Sequence, residues 1–215
     1  MTAAAPPEAL LIDFGGVLTT SVFDSFAAFC RAEGLPPDAV RQAFATDEVA
    51  AHLLVEAEEG RLSDEEFGHR LAPRLAAGAG VRIDPDRLLE RLNAGLAPEP
   101  EMVRATALIR ASGVTTVLVS NSLGRATYAW CDFDELFDHV VVSGEVGVRK
   151  PSRRIFRMAA ERAGVAPELC VMVDDLEQNL VGARRAGMQT ILHRDPASTL
   201  AELESVFGVR LRAAA

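Results

Sequence analysis

ALLIDFGGVL, residues 9–18, decides the fold. Ala9 to Ile12 run apolar without interruption, the pattern of a strand buried on both faces. Asp13 follows at once, and Gly15-Gly16 then make a turn. The segment therefore reads as a buried strand that delivers one carboxylate to a glycine-rich edge. Upstream, residues 1–8 are rich in Ala and Pro, with no basic residue and no apolar run, so no signal peptide is expected.

Downstream the period changes to that of helices. Residues 22–34 put Phe23, Phe26, Ala27 and Cys30 on one side. Pro36-Pro37 breaks that helix, and another is expected from Asp38. Residues 47–59 form a further helix, stopped at Gly60. Ser63-x-x-Glu66 is a capping box that opens the next, and Pro73 should kink or end it. One more helix is expected over 84–93. From Ala97-Pro98-Glu99-Pro100 onward, helices (101–112, 124–130, 153–164, 176–186, 196–207) alternate with strands (114–119, 139–142, 169–173, 188–192). Such alternation predicts an α/β fold with a doubly wound parallel sheet. The helical block after the first strand is then an insertion. The expected division is a core of residues 1–19 and 97–215, with an inserted α-helical cap of residues 20–96.

The composition narrows the function. With 215 residues, 49% of them hydrophobic, the chain can bury an ordinary core plus a modest insertion. Lys and Arg number 22 against 31 Asp and Glu, a net charge of −9. So acidic a surface repels nucleic acid and anionic membrane, and neither is expected as a partner. No run reaches the roughly 18 uncharged apolar residues of a membrane helix. Cys30, Cys131 and Cys170 are scattered, which reads as reduced thiols in a cytoplasmic protein and not as metal ligands. Monomer and homodimer are both left open.

In an open parallel sheet, ligands bind beyond the carboxyl ends of the strands. Asp13, Ser120-Asn121, Lys150 and Asp174-Asp175 would all meet there. These types suit phosphoryl transfer from a small phosphorylated metabolite. Asp13 can attack phosphorus and carry the aspartyl-phosphate. Mg²⁺, a hard cation that prefers oxygen, would offset the charge, held by Asp13, Asp175 and the carbonyl of Gly15. Lys150 adds a positive charge between nucleophile and phosphate. The Ser120 hydroxyl and the amides of Asn121 and Ser122 can donate to phosphate oxygens, and Gly16 is grouped with these substrate contacts. Asp174 is counted with the metal ligands, although a cap for the following helix is an alternative role. Asn179, four residues after Asp175, is either a partner of the metal ligands or an ordinary helix residue.

Asp13-Phe-Gly-Gly-Val-Leu18, Val-Ser120-Asn121-Ser, Lys150-Pro151 and Val-Asp174-Asp175, in this order, resemble the four motifs of the haloacid dehalogenase superfamily. Residues 149–156 and 179–187 extend the match, and residues 20–95 resemble the family's helical cap. The resemblance spans nearly the whole chain. It implies a hydrolase with an aspartyl nucleophile and, for phosphatase members, Mg²⁺.

One position departs from the pattern. Most phosphatases of that family carry Asp-x-Asp, whose second Asp is the general acid and base, and here that position is Gly15. An unreplaced acid–base group costs roughly 10²–10⁴-fold in rate. Dehalogenases also lack it, since halide needs no proton, but they keep no Asp-Asp pair in the fourth motif. A branch that uses a cap lysine is disfavoured because residues 20–95 contain no Lys. Some sugar-phosphate phosphatases resembling this chain also carry Asp-x-Gly, so a sugar phosphate is a candidate substrate. The leading expectation is a Mg²⁺-dependent hydrolase of a small phosphate monoester. The alternatives are a metal-independent haloacid dehalogenase and a catalytically weak phosphate-binding protein. Within the cap, His52, one turn from Glu56, is a candidate substrate contact, with a solvated pair as the alternative. Asp24 is a candidate substitute acid. Glu56–Glu59 reads as an exposed helix end, and Phe23, Phe26 and Phe29 as cap packing.

Overall fold

The apolar run does form strand β1 (Ala9–Ile12), and all four side chains are buried. Successive strand side chains point to opposite faces. Leu10 and Ile12 accordingly join one apolar cluster, and Ala9 and Leu11 the other. The computed structural model describes residues 5–212. Four more strands flank β1: β2 (Thr115–Ser120), β3 (His139–Val142), β4 (Cys170–Asp174) and β5 (Gln189–Leu192). All pairings are parallel, in the order β3-β2-β1-β4-β5.

The inserted block supplies five helices: α1 (Val22–Ala32), α2 (Ala39–Thr46), α3 (Glu48–Glu58), α4 (Asp64–Ala76) and α5 (Leu88–Asn93). They pack on one another around their own apolar cluster, which includes Phe26, Leu53, Phe67, Leu71 and Leu88. The chain leaves and re-enters the sheet layer side by side. Thr20 N–H donates to the Ala97 carbonyl at 2.8 Å, and Glu99 N–H to Leu18 at 2.8 Å. The rest of the chain adds α6 (Pro100–Ala111), α7 (Phe133–Leu136), α8 (Ser143–Val146), α9 (Arg153–Ala163), α10 (Glu177–Ala186) and α11 (Pro196–Phe207). Helices α6 and α11 cover one face of the sheet, and α9 and α10 the other. The architecture is therefore a doubly wound parallel sheet with a helical cap. Among the described residues, no helix is long and apolar enough to cross a membrane.

The local expectations fare unevenly, for identifiable reasons. The Ser63–Glu66 capping box forms in both directions. Helix α4 runs past Pro73 and stops three residues later, where Ala77 turns extended. The helix expected over 84–93 begins only at Leu88. The Asp84 carboxylate accepts the Asp86 N–H at 3.0 Å, and Arg87 takes a left-handed conformation, so side chain and backbone both compete with the first turn. The expected helix at 124–130 is a single 3₁₀ turn, Arg125–Tyr128. Helices α7 and α8, four residues each, are too short to leave a period in the sequence.

Candidate active site

The order of strand addition reverses at β1, with β2 and β3 on one side and β4 and β5 on the other. Such a reversal leaves a crevice beyond the strand ends. Ile12 pairs with Leu118 and Val173, so Asp13 emerges beside Val119 and Asp174, with Ser120 one residue further along β2. Lys150, in the loop before α9, reaches the same point although its side chain is buried. Its ammonium lies 2.7 Å from Asp13 Oδ1 and 2.7 Å from Asp174 Oδ2.

Each of these groups is held by neighbours. Asp13 Oδ1 also accepts the Phe14 N–H at 2.6 Å. Asp174 is fully buried. It accepts from Leu176 N–H at 2.9 Å and from the Asn179 amide at 2.9 and 3.1 Å. Asn179 therefore orients Asp174. Asn121 clasps the Lys150 backbone, accepting its N–H at 2.8 Å and donating to its carbonyl at 3.2 Å. The Ser120 hydroxyl lies 2.9 Å from the Tyr128 hydroxyl. Burial pushes that phenol up to about 12, so it stays protonated.

Asp13, Asp174 and Asp175 each bring one oxygen within 4.8 Å of the others. Burial raises the Asp13 carboxyl well above its ordinary value. Lys150 opposes this, while Asp174 and Asp175 add to it. Burial and Asp174 push Asp175 up to about 6. Burial alone would lower the Lys150 ammonium, but Asp13 and Asp174 outweigh it and hold it charged. Three carboxylates around one ammonium thus leave negative charge uncompensated in a buried place. An all-oxygen donor set with that excess fits a hard divalent cation. Gly16 is part of this geometry. It adopts φ +78°, and a Cβ there would run into the Asp175 carboxylate. It meets the acid cluster but does not line the cavity.

A cavity of about 430 Å³ opens over these groups, between sheet edge and cap. Asp13, Gly15, Ser120, Asn121, Lys150 and Asp175 form its floor. Two of the expected substrate contacts, and the candidate substitute acid, stand differently. His52 does not line the cavity. Its side chain is 65% exposed and faces Glu56 at 4.0 Å on the solvent side of α3. The Ser122 N–H is already taken by the Ser143 hydroxyl at 2.8 Å. Asp24 is exposed and outside the cavity.

The cap residue that does enter is Glu58, which the sequence suggested was exposed. It is 9% exposed, pairs with Arg149 and lies 3.5 Å from the Asn121 amide, both through Oε2. Burial pushes its carboxyl up to about 7 against the pull of Arg149 and Lys150. A signal was present, since Ala51, Leu54, Val55 and Glu58 share one face of α3 at helical spacing, and His52 and Glu56 fall off it. Phe23, Phe26 and Phe44 also line the cavity, and Phe29 packs inside the cap.

Residues 7–187 match the model of the haloacid dehalogenase-like hydrolases. This chain belongs to that family. As a haloacid dehalogenase-like hydrolase it is an enzyme, and its relatives include phosphatases. It is 35% identical over 125 residues to the glyceraldehyde 3-phosphate phosphatase of Methanopyrus kandleri, covering 55% of this chain and 51% of that one. It is 37% identical over 116 residues to rat (Rattus norvegicus) bifunctional epoxide hydrolase 2, covering 51% of this chain and 21% of that one. The match thus spans about half the length of the first relative and a fifth of the second. Among solved structures, a haloacid dehalogenase family enzyme of Bacteroides thetaiotaomicron superposes with a TM-score of 0.69 at 21% identity, covering 88% of this chain and 95% of that one. The same enzyme has been crystallised with magnesium and inorganic phosphate. At that identity the likeness shows the shared fold.

Proposed function

We propose that this hydrolase is a Mg²⁺-dependent phosphatase of small phosphate monoesters, acting through an aspartyl-phosphate on Asp13. The observation that carries the reading is the meeting of Asp13, Asp174 and Asp175 with Lys150 at one buried sheet edge. A metal-free nucleophile beside two further carboxylates would be pushed toward its protonated, unreactive form, which weighs against the dehalogenase alternative. The phosphatase relatives and the magnesium–phosphate complex of the Bacteroides enzyme point the same way.

In this reading Asp13 Oδ1 is steadied by Phe14 N–H and Lys150, and Oδ2 attacks phosphorus. The new P–O bond forms as the ester P–O bond breaks, and the alkoxide leaves with a proton. Water then hydrolyses the acyl phosphate, releasing phosphate and restoring the carboxylate. Lys150 and Ser120 donate to the phosphate oxygens, and Asn121 holds the Lys150 backbone in place. Asp174 and Asn179 aim the ammonium. Asp13, Asp175 and the Gly15 carbonyl would hold Mg²⁺, with Asp174 behind them. When bound, the ion offsets repulsion between carboxylate and phosphate. Gly15 brings no acid, so the proton for the leaving group falls to Glu58, the cavity carboxyl that titrates near neutrality.

The test is phosphate release from an ester panel, with Mg²⁺ and with chelator, by wild type and Asp13→Asn. Metal-dependent release lost in Asp13→Asn is expected. Equal release by the variant, or release indifferent to chelator, would overturn the proposal.

A further inference from the structure

The cap side of the cavity is a wall of hydrocarbon. Phe23, Phe26 and Phe44 form a continuous edge-to-face series, with ring centroids 6.5 and 6.2 Å apart. Leu54, Val55 and Leu123 continue the wall. Phe23 keeps 43% of its surface exposed, although a large aromatic on a two-layer protein normally finds cover.

The polar groups on this side are largely committed. Glu58 is engaged by Arg149 and Asn121. The Asn93 amide donates to the Leu123 carbonyl at 2.7 Å and to Thr127 at 3.1 Å. Asn93 Oδ1 is buried without a partner, which leaves room to accept from one donor. Arg41 also lines the cavity, from an exposed position. A polyhydroxylated body would lose water from several hydroxyls here and find too few partners. An apolar body would cover the aromatic series instead.

We infer that the phosphate esters taken by this site carry an apolar, ring-sized body, aryl or cycloaliphatic, in preference to a sugar. This inference deepens the phosphatase reading and rests on it. A cavity of about 430 Å³ accommodates a phosphate with such a group. The family resemblance had made a sugar phosphate a candidate, and the cap wall argues against it.

The experiment compares cyclohexylmethyl phosphate with glucose 6-phosphate. Both are six-membered rings that release a primary alkoxide, and the sugar is the better leaving group. A preference for the apolar ester therefore cannot arise from leaving-group chemistry. An apolar pocket discriminates by about 10²-fold against an added hydroxyl, so kcat/KM should favour cyclohexylmethyl phosphate by at least that factor. Phe23→Ser, at a position already half open to solvent, should cut the ratio about tenfold without unfolding the cap, and Leu54→Asn should act alike. The affinities of the two matching phosphonates are measured in parallel. Equal turnover, or faster turnover of the sugar phosphate, overturns the inference and leaves the phosphatase reading intact. No turnover of either ester, with the phosphonate preference preserved, sinks the phosphatase reading but keeps the cavity's preference. No turnover and no preference in binding overturns both.

Discussion

Replacing Lys150 by Met keeps most of the side-chain volume and removes the charge at the centre of the site. Lys150 is 1% exposed, and its ammonium contacts two buried carboxylates at 2.7 Å each. Asp174 would keep Asn179 and the Leu176 N–H, and Asp13 would keep only the Phe14 N–H. Breaking a buried ion pair by removing one partner costs about 3–5 kcal/mol, chiefly because the remaining charge is stranded. Both pairs share one cation, so the cost is not doubled. For a chain of this size each kcal/mol lowers Tm by about 2–4 °C, so a fall of roughly 6–20 °C is expected near neutral pH. The pH dependence has a definite sign. Without the ammonium, the folded-state pKa of Asp13, already raised by burial, rises further above that of the unfolded chain. The folded variant then binds more protons than the unfolded one, and its stability falls as pH rises. The slope is about 1.4 kcal/mol per pH unit for Asp13 between its unfolded and folded pKa values. The deficit against wild type should therefore be smaller at about pH 5 than at about pH 7.5, and adding Asp174→Asn should restore part of the loss. Thermal unfolding by circular dichroism, in chelator, measures all of this. A Tm change under about 3 °C at the higher pH, or equal deficits at both pH values, would refute the reasoning.

Glu58→Gln should slow alkyl phosphate hydrolysis by about 10²-fold or more, spare aryl phosphates with good leaving groups, and remove a pH-rate limb near 7. Equal slowing of both classes would show Glu58 to be structural. The Glu58 carboxyl is raised from 4.5 to about 7, so its contribution to wild-type stability declines as pH rises through that window, by roughly 3 kcal/mol in total. Urea unfolding of Glu58→Gln should show a flatter pH profile. Gly15→Asp would bring a Cβ within 2.8 Å of Val22 Cγ2, costing about 1–3 kcal/mol from overpacking. Paired with Val22→Ala it should recover stability and accelerate poor leaving groups, and a double variant no faster than wild type would contradict that. Gly16→Ala forces a Cβ into Asp175 at φ +78° and should weaken Mg²⁺ binding about tenfold by titration calorimetry, whereas unchanged affinity would separate Asp175 from the metal.

The sequence was most legible where chemistry and chain order coincide. Asp13 and Asp175 follow their strands, Ser120 and Asp174 end theirs, and Lys150 lies in the connection from β3 to β4, so the parallel topology sends all of them to one edge. The runs of β1 and β4, and most of β2, are apolar and buried on both faces, so their identification needed no partner. The cap was harder to read because its residues serve two surfaces. On α3, Leu53 packs inward while Leu54 and Val55 face the cavity, and both kinds look equally apolar in the sequence. His52 and Glu56 carry functional-looking groups but turn to solvent.

The sequence by itself determined the sheet, its inserted helical block and the acids and cation at the strand ends, because those follow from short apolar runs, from the helical period and from order along the chain. Only the tertiary structure decided which cap residues meet them. The cap docks through contacts remote in sequence, such as Glu58 with Arg149 and Asn121, and Asn93 with Leu123. A helix period tells which residues share a face, but the packing of one layer on another decides which face looks into the cavity. That packing turned Glu58 inward, His52 outward, and set three phenylalanines over the nucleophile's crevice.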